Sequence, residues 1–357
     1  MLSTVRGAYG ARLTIVAALV AAICMALTGT AQAKDKRELD VMTQNMYLGS
    51  SLDAAIQAET QEQFIVAVAT IYGTVQFTNF PARANAIADE IASEQPDVVG
   101  LQEVSKWTAT GPGAPPSLDF LAILQQDLVE RGLSYSVASV SNNADIGPVP
   151  LVLCSGPFGS CTLTFQDRDV ILVNDANANL ATSNPQSGTY QTQRLVTIPG
   201  VGQLSFDRGW ASIDGTLSGK AFHFVNTHLE TEESPSDQQA QGAEFLKGPA
   251  KSKGAVIATG DFNSAADGST TTTYASLTKS YFQDAWDANP GDPGFSCCQN
   301  STLTNPTSQL ASRIDLVLAH GAASATGAHL IGDAPFEATP PFWPSDHAGL
   351  VGVVRVH

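Results

Sequence analysis

Charge is scarce in this chain, and positive charge is scarcest. Charged residues make up 15%, and 18 lysines and arginines stand against 34 aspartates and glutamates, a formal net charge of −16. Broad affinity for nucleic acid rests on basic side chains neutralising phosphates, so a non-specific polyanion binder is disfavoured. Nuclease chemistry itself survives the argument, because a bound metal reverses the local field. No internal repeat and no charged linker divides the sequence. After about Leu27 no stretch is long and apolar enough to span a bilayer. Disorder is excluded too, since 43% of the 357 residues are hydrophobic, enough for a large core.

Cysteines are few, five in all. Cys24 falls in an N-terminal segment that reads as a cleavable secretory signal. Arg6 and Arg12 precede an apolar run from Leu13 to about Leu27, and a small-x-small pattern ends at Ala33. Residues 1–33 are therefore expected to be removed, leaving one domain over 34–357. The run is short for a membrane anchor, and Ile23 before Cys24 does not suit lipid attachment. Loss of two arginines takes the charge from −16 to −18. The expected location is extracellular or periplasmic. The remaining cysteines, Cys154, Cys161, Cys297 and Cys298, allow three pairings. Cys154 and Cys161 bracket a Gly/Pro loop, where a local bridge is plausible. Cys297 and Cys298 are then a vicinal disulfide or two thiols. No histidine sits at finger-like spacing from them, which speaks against a soft-metal site.

Strand-like and helix-like segments alternate. Strands are expected over 38–48, 97–101, 169–174, 210–216, 221–229, 255–259, 314–319 and 349–356. Helices are expected over 52–72, 82–93, 118–131 (stopped at Gly132) and 238–246. Residues 269–273 and 296–312 read as polar loops. Helix layers covering central sheets follow from this order.

The informative polar residues sit at the ends of apolar strands. Asn45 follows Val41 and Thr43 at period two, so all three share a face. Its carboxamide can bind a metal or a phosphoryl oxygen, or simply form a turn. Glu103 lies just past the apolar run Asp97-Val98-Val99-Gly100-Leu101, and one glutamate there suits magnesium, a hard ion that keeps its waters. Asn226 and His228 share a face if their strand stays extended, and His223 takes the other. Glu230 either orients His228 or opens an acidic loop through Glu233. Gly260-Asp261-Phe262-Asn263 closes another apolar strand, where a carboxylate can hold the attacking water and an amide can stabilise transition-state charge. Asp315 points away from the apolar face of Ile314, Leu316 and Leu318 and is placed to orient a histidine. Asp346 and His347 are adjacent, so both enter one site only if the chain bends, and Pro344 and Gly349 favour a loop. Asp169 and Arg208 are softer candidates. Arg208 either meets substrate phosphate or pairs with a surface acid.

In order, Gln44-Asn45, Leu101-Gln102-Glu103-Val104, Asn226-Thr227-His228-Leu229, Gly260-Asp261-Phe262-Asn263, Arg313-Ile314-Asp315 and Ser345-Asp346-His347 resemble the endonuclease/exonuclease/phosphatase superfamily from about Val41 to Val354. The resemblance implies an α/β four-layer sandwich, two mixed β-sheets packed face to face with helices outside. It also implies roles. Glu103 binds magnesium, for which manganese can substitute, with Asn45 close by and Asp346 completing the site. Asp261 positions or activates water. Asn263 and His228 contact the scissile phosphate, and Asp315 pairs with His347. The implied function is hydrolysis of phosphate esters by a secreted monomer. The acidic composition favours a lipid or small organic phosphodiester over DNA or RNA. A binding module without chemistry is the rival class. A serine hydrolase is disfavoured, since no Gly-x-Ser-x-Gly elbow is present. The loops at 147–161 and 295–299 either rim the site or are stapled surface loops, and the surface reading is preferred.

Overall fold

A computed structural model gives the fold of residues 36–357, apart from 153, 155, 156, 158, 159 and 280. The expected signal at 1–33 lies outside these described residues. Two mixed sheets carry the architecture. The larger runs Ala323–Ile331, Gly349–Val356, Glu38–Asn45, Val98–Gln102, Thr162–Asn174, Lys106–Thr110 and Leu118–Asp119, with Tyr135–Pro150 also pairing with Thr162–Asn174. The smaller runs Gln283–Asp284, Asp315–His320, Ala255–Asp261, Lys220–His228, Gly209–Leu217 and Leu180–Thr189. Parallel pairs (Glu38–Asn45 with Val98–Gln102, and Lys220–His228 with Ala255–Asp261) sit among antiparallel ones.

The central strands read as continuous apolar runs because both of their faces are buried. Leu39, Val41, Val98, Ile171, Val173, Phe222, Phe224, Ala255, Ile257, Val317 and Ala319 fill the space between the sheets. Their sequence neighbours face outward under helices. Met42, Val99, Leu101, Val170 and Leu172 pack beneath Gln61–Phe77 and Phe80–Glu94. Val225, Val256, Ala258, Leu316 and Leu318 pack beneath Pro235–Lys247. The four layers that the family resemblance implied are present.

Following each strand's inner face at period two explains where the site lies. Leu39 and Val41 are followed by Thr43 and Asn45, Val98 by Gly100 and Gln102. Phe222 and Phe224 are followed by Asn226 and His228, Ala255 and Ile257 by Thr259 and Asp261. The space between the sheets thus passes from an apolar core to a polar layer and then to ionisable groups. In the polar layer Gln102 donates to Asn226 at 2.7 Å and Asn226 donates to the carbonyls of Leu101 and Val170. Asn226 is therefore a tie between sheets. Gly100 is needed there, because a Cβ would collide with Thr259 and Asn226.

Some expectations change in detail. The 52–72 segment is two helices, Asp53–Ile56 and Gln61–Phe77, broken where the Thr60 side chain accepts from the Gln63 amide and caps the second. The first strand ends at Asn45, earlier than 48. The expected 118–131 helix is Phe120–Glu130, and Gly132 does leave it with a left-handed φ of +73°. Strands at Leu180–Thr189, Arg194–Ile198 and Gly202–Phe206 were not legible: the first is almost wholly exposed and polar, and the other two are five-residue strands paired only with each other.

Candidate active site

Three of the candidate side chains form one row across the smaller sheet. His228 stands in register with Asp261, and Asp261 in register with Asp315. All three are buried. Gly260 makes this row possible. Its φ is +151°, and a Cβ would strike the Thr227 carbonyl on the neighbouring strand.

His347 docks on the row from outside the sheet. The chain over 343–348 leaves strand geometry, as the bend between Asp346 and His347 requires. Ser345 Oγ donates to the Asn45 carbonyl at 2.7 Å, and His347 Nδ1 lies 2.8 Å from Asp315 Oδ2. His347 Nε2 lies 3.8 Å from Asp261 Oδ2. Burial opposes its charge, but Asp315, Asp346 and Asp261 outweigh this and hold His347 well above the ordinary histidine value. His228 behaves oppositely. Burial, then Arg208 and His347, keep it well below that value, so it is neutral near pH 7.

Asn263 completes this end. Its Nδ2 lies 3.1 Å from His228 Nε2 and donates to the Leu229 carbonyl at 2.9 Å. Its backbone amide donates to Asp261 Oδ1 at 2.9 Å, and it sits at a left-handed φ of +49°. Asn45 reaches across from the larger sheet, where Nδ2 donates to Asp261 Oδ2 at 3.1 Å and Oδ1 accepts from the Tyr47 amide. Burial, then Asp315, push Asp261 up to about 7.

Beside the row opens a cavity of about 660 Å³, lined among others by Glu103, Arg208, Asn263 and Asp346, while His228, Asp261, Asp315 and His347 lie buried behind that lining. Glu103 also sits at left-handed φ, +54°, and accepts from the Leu48 amide at 2.6 Å. Burial pushes Asp346 up to about 7, opposed by His347 and reinforced by Glu103. Among the described residues neither carboxylate has an ion-pair partner. Two carboxylates in one cavity, neither paired with a cation, are oxygen donors of the kind a hard divalent ion takes. Asn45, with one lone pair of Oδ1 already used, stands behind them.

Arg208 is not a surface pair. Its Nη1 lies 3.0 Å from both ring nitrogens of His228, its Nη2 lies 3.7 Å from Glu230, and its buried Nε has no hydrogen-bond partner. Glu230 therefore serves Arg208, and also Arg194 at 3.9 Å, rather than orienting His228. His223 is a structural residue, 2.9 Å from both Asp214 and the Pro249 carbonyl.

Other contributors were missed or undervalued. Asp167 went unnoticed and Asp169 was a soft candidate, yet both are buried within reach of His228. Burial and then Glu103 push Asp167 up to about 6, while burial and then Asp167 raise Asp169 well above its ordinary value. The signal was present in the sequence. Asp167 and Asp169 continue the inner face of Ile171 and Val173 at period two, as Asn45 continues that of Val41. Arg83 was also missed. It is fully buried on a helix, and its guanidinium donates to the carbonyls of Thr78, Met46, Tyr47 and Pro344. It pins the segment after Asn45 to the segment before Asp346.

The preference for a surface loop at 295–299 is overturned. The structure joins Cys154 to Cys161 and Cys297 to Cys298. The second pair lines the same cavity as Glu103 and Asp346, and Cys298 Sγ lies 3.8 Å from His347 Nε2. Hydrogen bonds from Cys297 N to Ser312 O, Ala348 N to Ser296 O and Gln299 N to Asp346 O clamp this loop between 312 and 346–348. The described residues of 147–161 are not among those lining that cavity.

A model of the Endonuclease/Exonuclease/phosphatase family matches residues 42–347. No curated protein matches the chain by sequence. Among solved structures, an endonuclease/exonuclease/phosphatase from Beutenbergia cavernae superposes with a TM-score of 0.56 at 21% identity, covering 90% of this chain and 72% of that one. A mannosyl-6-phosphatase from Bacteroides thetaiotaomicron gives 0.53 at 15%, covering 88% and 99%. A humanized TDP2 from D. rerio gives 0.52 at 15%, covering 90% and 100%. At these identities the structures establish the shared fold.

Proposed function

This chain belongs to the Endonuclease/Exonuclease/phosphatase family, so it is a metal-dependent hydrolase of phosphoesters, and we propose that it is a secreted, magnesium-dependent phosphodiesterase acting on a compact substrate. The observation that carries the reading is the row His228, Asp261 and Asp315, with His347 docked on it, beside a cavity that presents Asn263, Glu103 and Asp346. Glu103 and Asp346 would hold the cation, with Asn45 behind them. Magnesium, when bound, withdraws charge from the phosphoryl group and orients it.

The protein's own groups divide the remaining work. Asp261, with a proton affinity near neutrality, accepts the proton of the attacking water. Asn45 fixes that carboxylate's orientation from the opposite sheet. His347, kept charged by Asp315, donates to the phosphoryl oxygen where negative charge grows. Neutral His228 and the Asn263 carboxamide, hydrogen-bonded to each other, form the polar wall beside it. Arg208, with a buried N–H lacking a partner, meets an anionic oxygen of the substrate.

The lining of the cavity favours a compact substrate. Asp53, Glu103, Glu230, Glu232, Glu233 and Asp346 face only Arg194 and Arg208 there. A nucleic-acid strand would bring its charged backbone past the acidic rim. A small apolar pocket of about 40 Å³ shares Leu52 and Phe206 with the cavity and suits a small apolar substituent. Export follows the signal-like residues 1–33, and magnesium follows the oxygen-only donors. No described helix is long and apolar enough to cross a membrane.

The test is a substrate panel of bis-p-nitrophenyl phosphate, sphingomyelin and plasmid DNA, each with magnesium or EDTA. EDTA-sensitive turnover of either non-nucleic diester supports the proposal. Cleavage of plasmid alone makes the protein a nuclease. No turnover on any substrate, unchanged in His347→Ala, makes it a binding module.

A further inference from the structure

The vicinal cysteines take no part in the reaction above, yet they stand at its centre. Cys297 is held by backbone bridges to Ser312 and to His347, which tie it to both segments beside it. Cys298 Sγ faces His347 Nε2 at 3.8 Å. The two sulfurs and a ring nitrogen of His347 all lie within 4.8 Å of one another. Ligands of one tetrahedral zinc ion are spaced by about 3.3–3.8 Å, given bonds of about 2.3 Å to sulfur and about 2.0 Å to nitrogen. Cys298 Sγ already stands at the upper end of that spacing from His347 Nε2, and reduction of the Cys297–Cys298 bond frees the second sulfur to move to it.

A second observation is independent of the sulfurs. Asp315 Oδ2 already holds His347 Nδ1 at 2.8 Å, which fixes the ring with Nε2 toward Cys298. A carboxylate behind the remote nitrogen is the arrangement that orients metal-binding histidines. Both cysteines line the open cavity, so an ion has a path in from solvent and keeps room for a water as fourth ligand. The histidine missing at short sequence spacing comes from 49 residues away.

We propose that the reduced Cys297–Cys298 pair and His347 Nε2 form a site for a thiophilic divalent cation of the zinc or cadmium kind, separate from the oxygen site at Glu103 and Asp346, and that filling it silences the hydrolase. Sulfur and imidazole select soft ions, whereas the carboxylate pair selects hard ones, so magnesium does not compete. As a disulfide the pair offers no thiolate. A phosphine reductant supplies two electrons, the S–S bond breaks, two thiols form, and the phosphine leaves as its oxide with oxygen from water. The cation then displaces the thiol protons and any proton on His347 Nε2, all of which pass to solvent. With Nε2 on the metal, His347 has no donor left for a phosphoryl oxygen. The silencing half rests on the hydrolytic reading, and the binding half does not.

The experiment titrates cadmium into phosphine-reduced protein in excess magnesium and reads the thiolate-to-cadmium charge-transfer absorption. One equivalent is expected to give the band. The oxidised protein, which preserves the fold, should give none. The band should persist after Cys154→Ser with Cys161→Ser and vanish after Cys297→Ser with Cys298→Ser, and His347→Ala should weaken cadmium binding at least tenfold. In parallel, zinc should slow hydrolysis of bis-p-nitrophenyl phosphate at least tenfold in reduced protein. It should have little effect on oxidised protein or on the Cys297/Cys298 double variant, each measured against its own zinc-free rate. No band in reduced protein, or an equal band in that double variant, overturns the site. A full band with undiminished turnover overturns the silencing. No zinc-free turnover on any phosphoester overturns the hydrolytic reading and silencing together, while the band still decides the site.

Discussion

Asp315 Oδ2 lies 2.8 Å from Nδ1 of His347, joining a strand of the smaller sheet to a bend 32 residues further along the chain. The contact sets the tautomer and direction of the ring and stabilises its charged form. Asp315→Asn keeps the shape but offers an amide that cannot stabilise the charge. It should lower kcat by about 10²–10⁴ with KM nearly unchanged, as expected for a group that acts only in the transition state. Steady-state hydrolysis of bis-p-nitrophenyl phosphate reads this. A loss confined to KM would remove Asp315 from the mechanism.

Asn263 combines a chemical and a conformational duty, and two variants separate them. Asn263→Gly and Asn263→Ala both lose the carboxamide beside His228, and both should lose about 10²–10³ in kcat. Only alanine also resists the φ of +49°, at a cost of about 1–2 kcal/mol. Urea melts should therefore find Asn263→Ala the less stable of the two, with activities alike. Equal stabilities would show that the backbone there relaxes freely.

Metal and proton should compete at Asp346. In the metal-free protein its proton affinity is raised to about 7, first by burial. A folded value above the unfolded one, about 3.9, means that the folded state binds the extra proton between about 4 and 7. That contribution to stability is complete below about 4 and is lost as pH rises through 7. A divalent cation displaces the same proton, so it binds tighter as pH rises. The gain in melting temperature from magnesium over EDTA should be larger at pH 8 than at pH 5.5. The acid limb of kcat/KM should also move to lower pH as magnesium is raised. Equal gains at both pH values would separate Asp346 from the ion.

Arg83 supports the site at a distance. Lysine cannot reproduce a guanidinium fork that meets four carbonyls, and each buried acceptor left alone costs about 1–3 kcal/mol. Arg83→Lys should lower stability by about 2–4 kcal/mol in urea melts. It should also weaken magnesium activation, since Asp346 follows the tethered Pro344. Unchanged stability would mean that water replaces the fork.

Much of the site was legible because period-two alternation is a local property. His228 and Asp261 each end an apolar inner face, and Asp315 opens its strand on the side opposite Leu316 and Leu318, so their direction followed from their own strands. The same rule would have found Asp167 and Asp169, but Arg168 between them obscured the strand's start. Leu180–Thr189 escaped because an exposed strand carries no apolar pattern. Arg83 escaped because a lone arginine in a helix reads as a solvated side chain until four carbonyls are seen around it.

The sequence by itself determined the layers and the inward-facing acids, amides and imidazoles, since strand alternation and burial are written residue by residue. Only the tertiary structure decided which of them meet. Asn45 reaches Asp261 through the packing of two sheets, and Cys298 reaches His347 through loops clamped together by backbone hydrogen bonds. Such neighbours depend on distant segments finding a common space, and no local pattern encodes that distance.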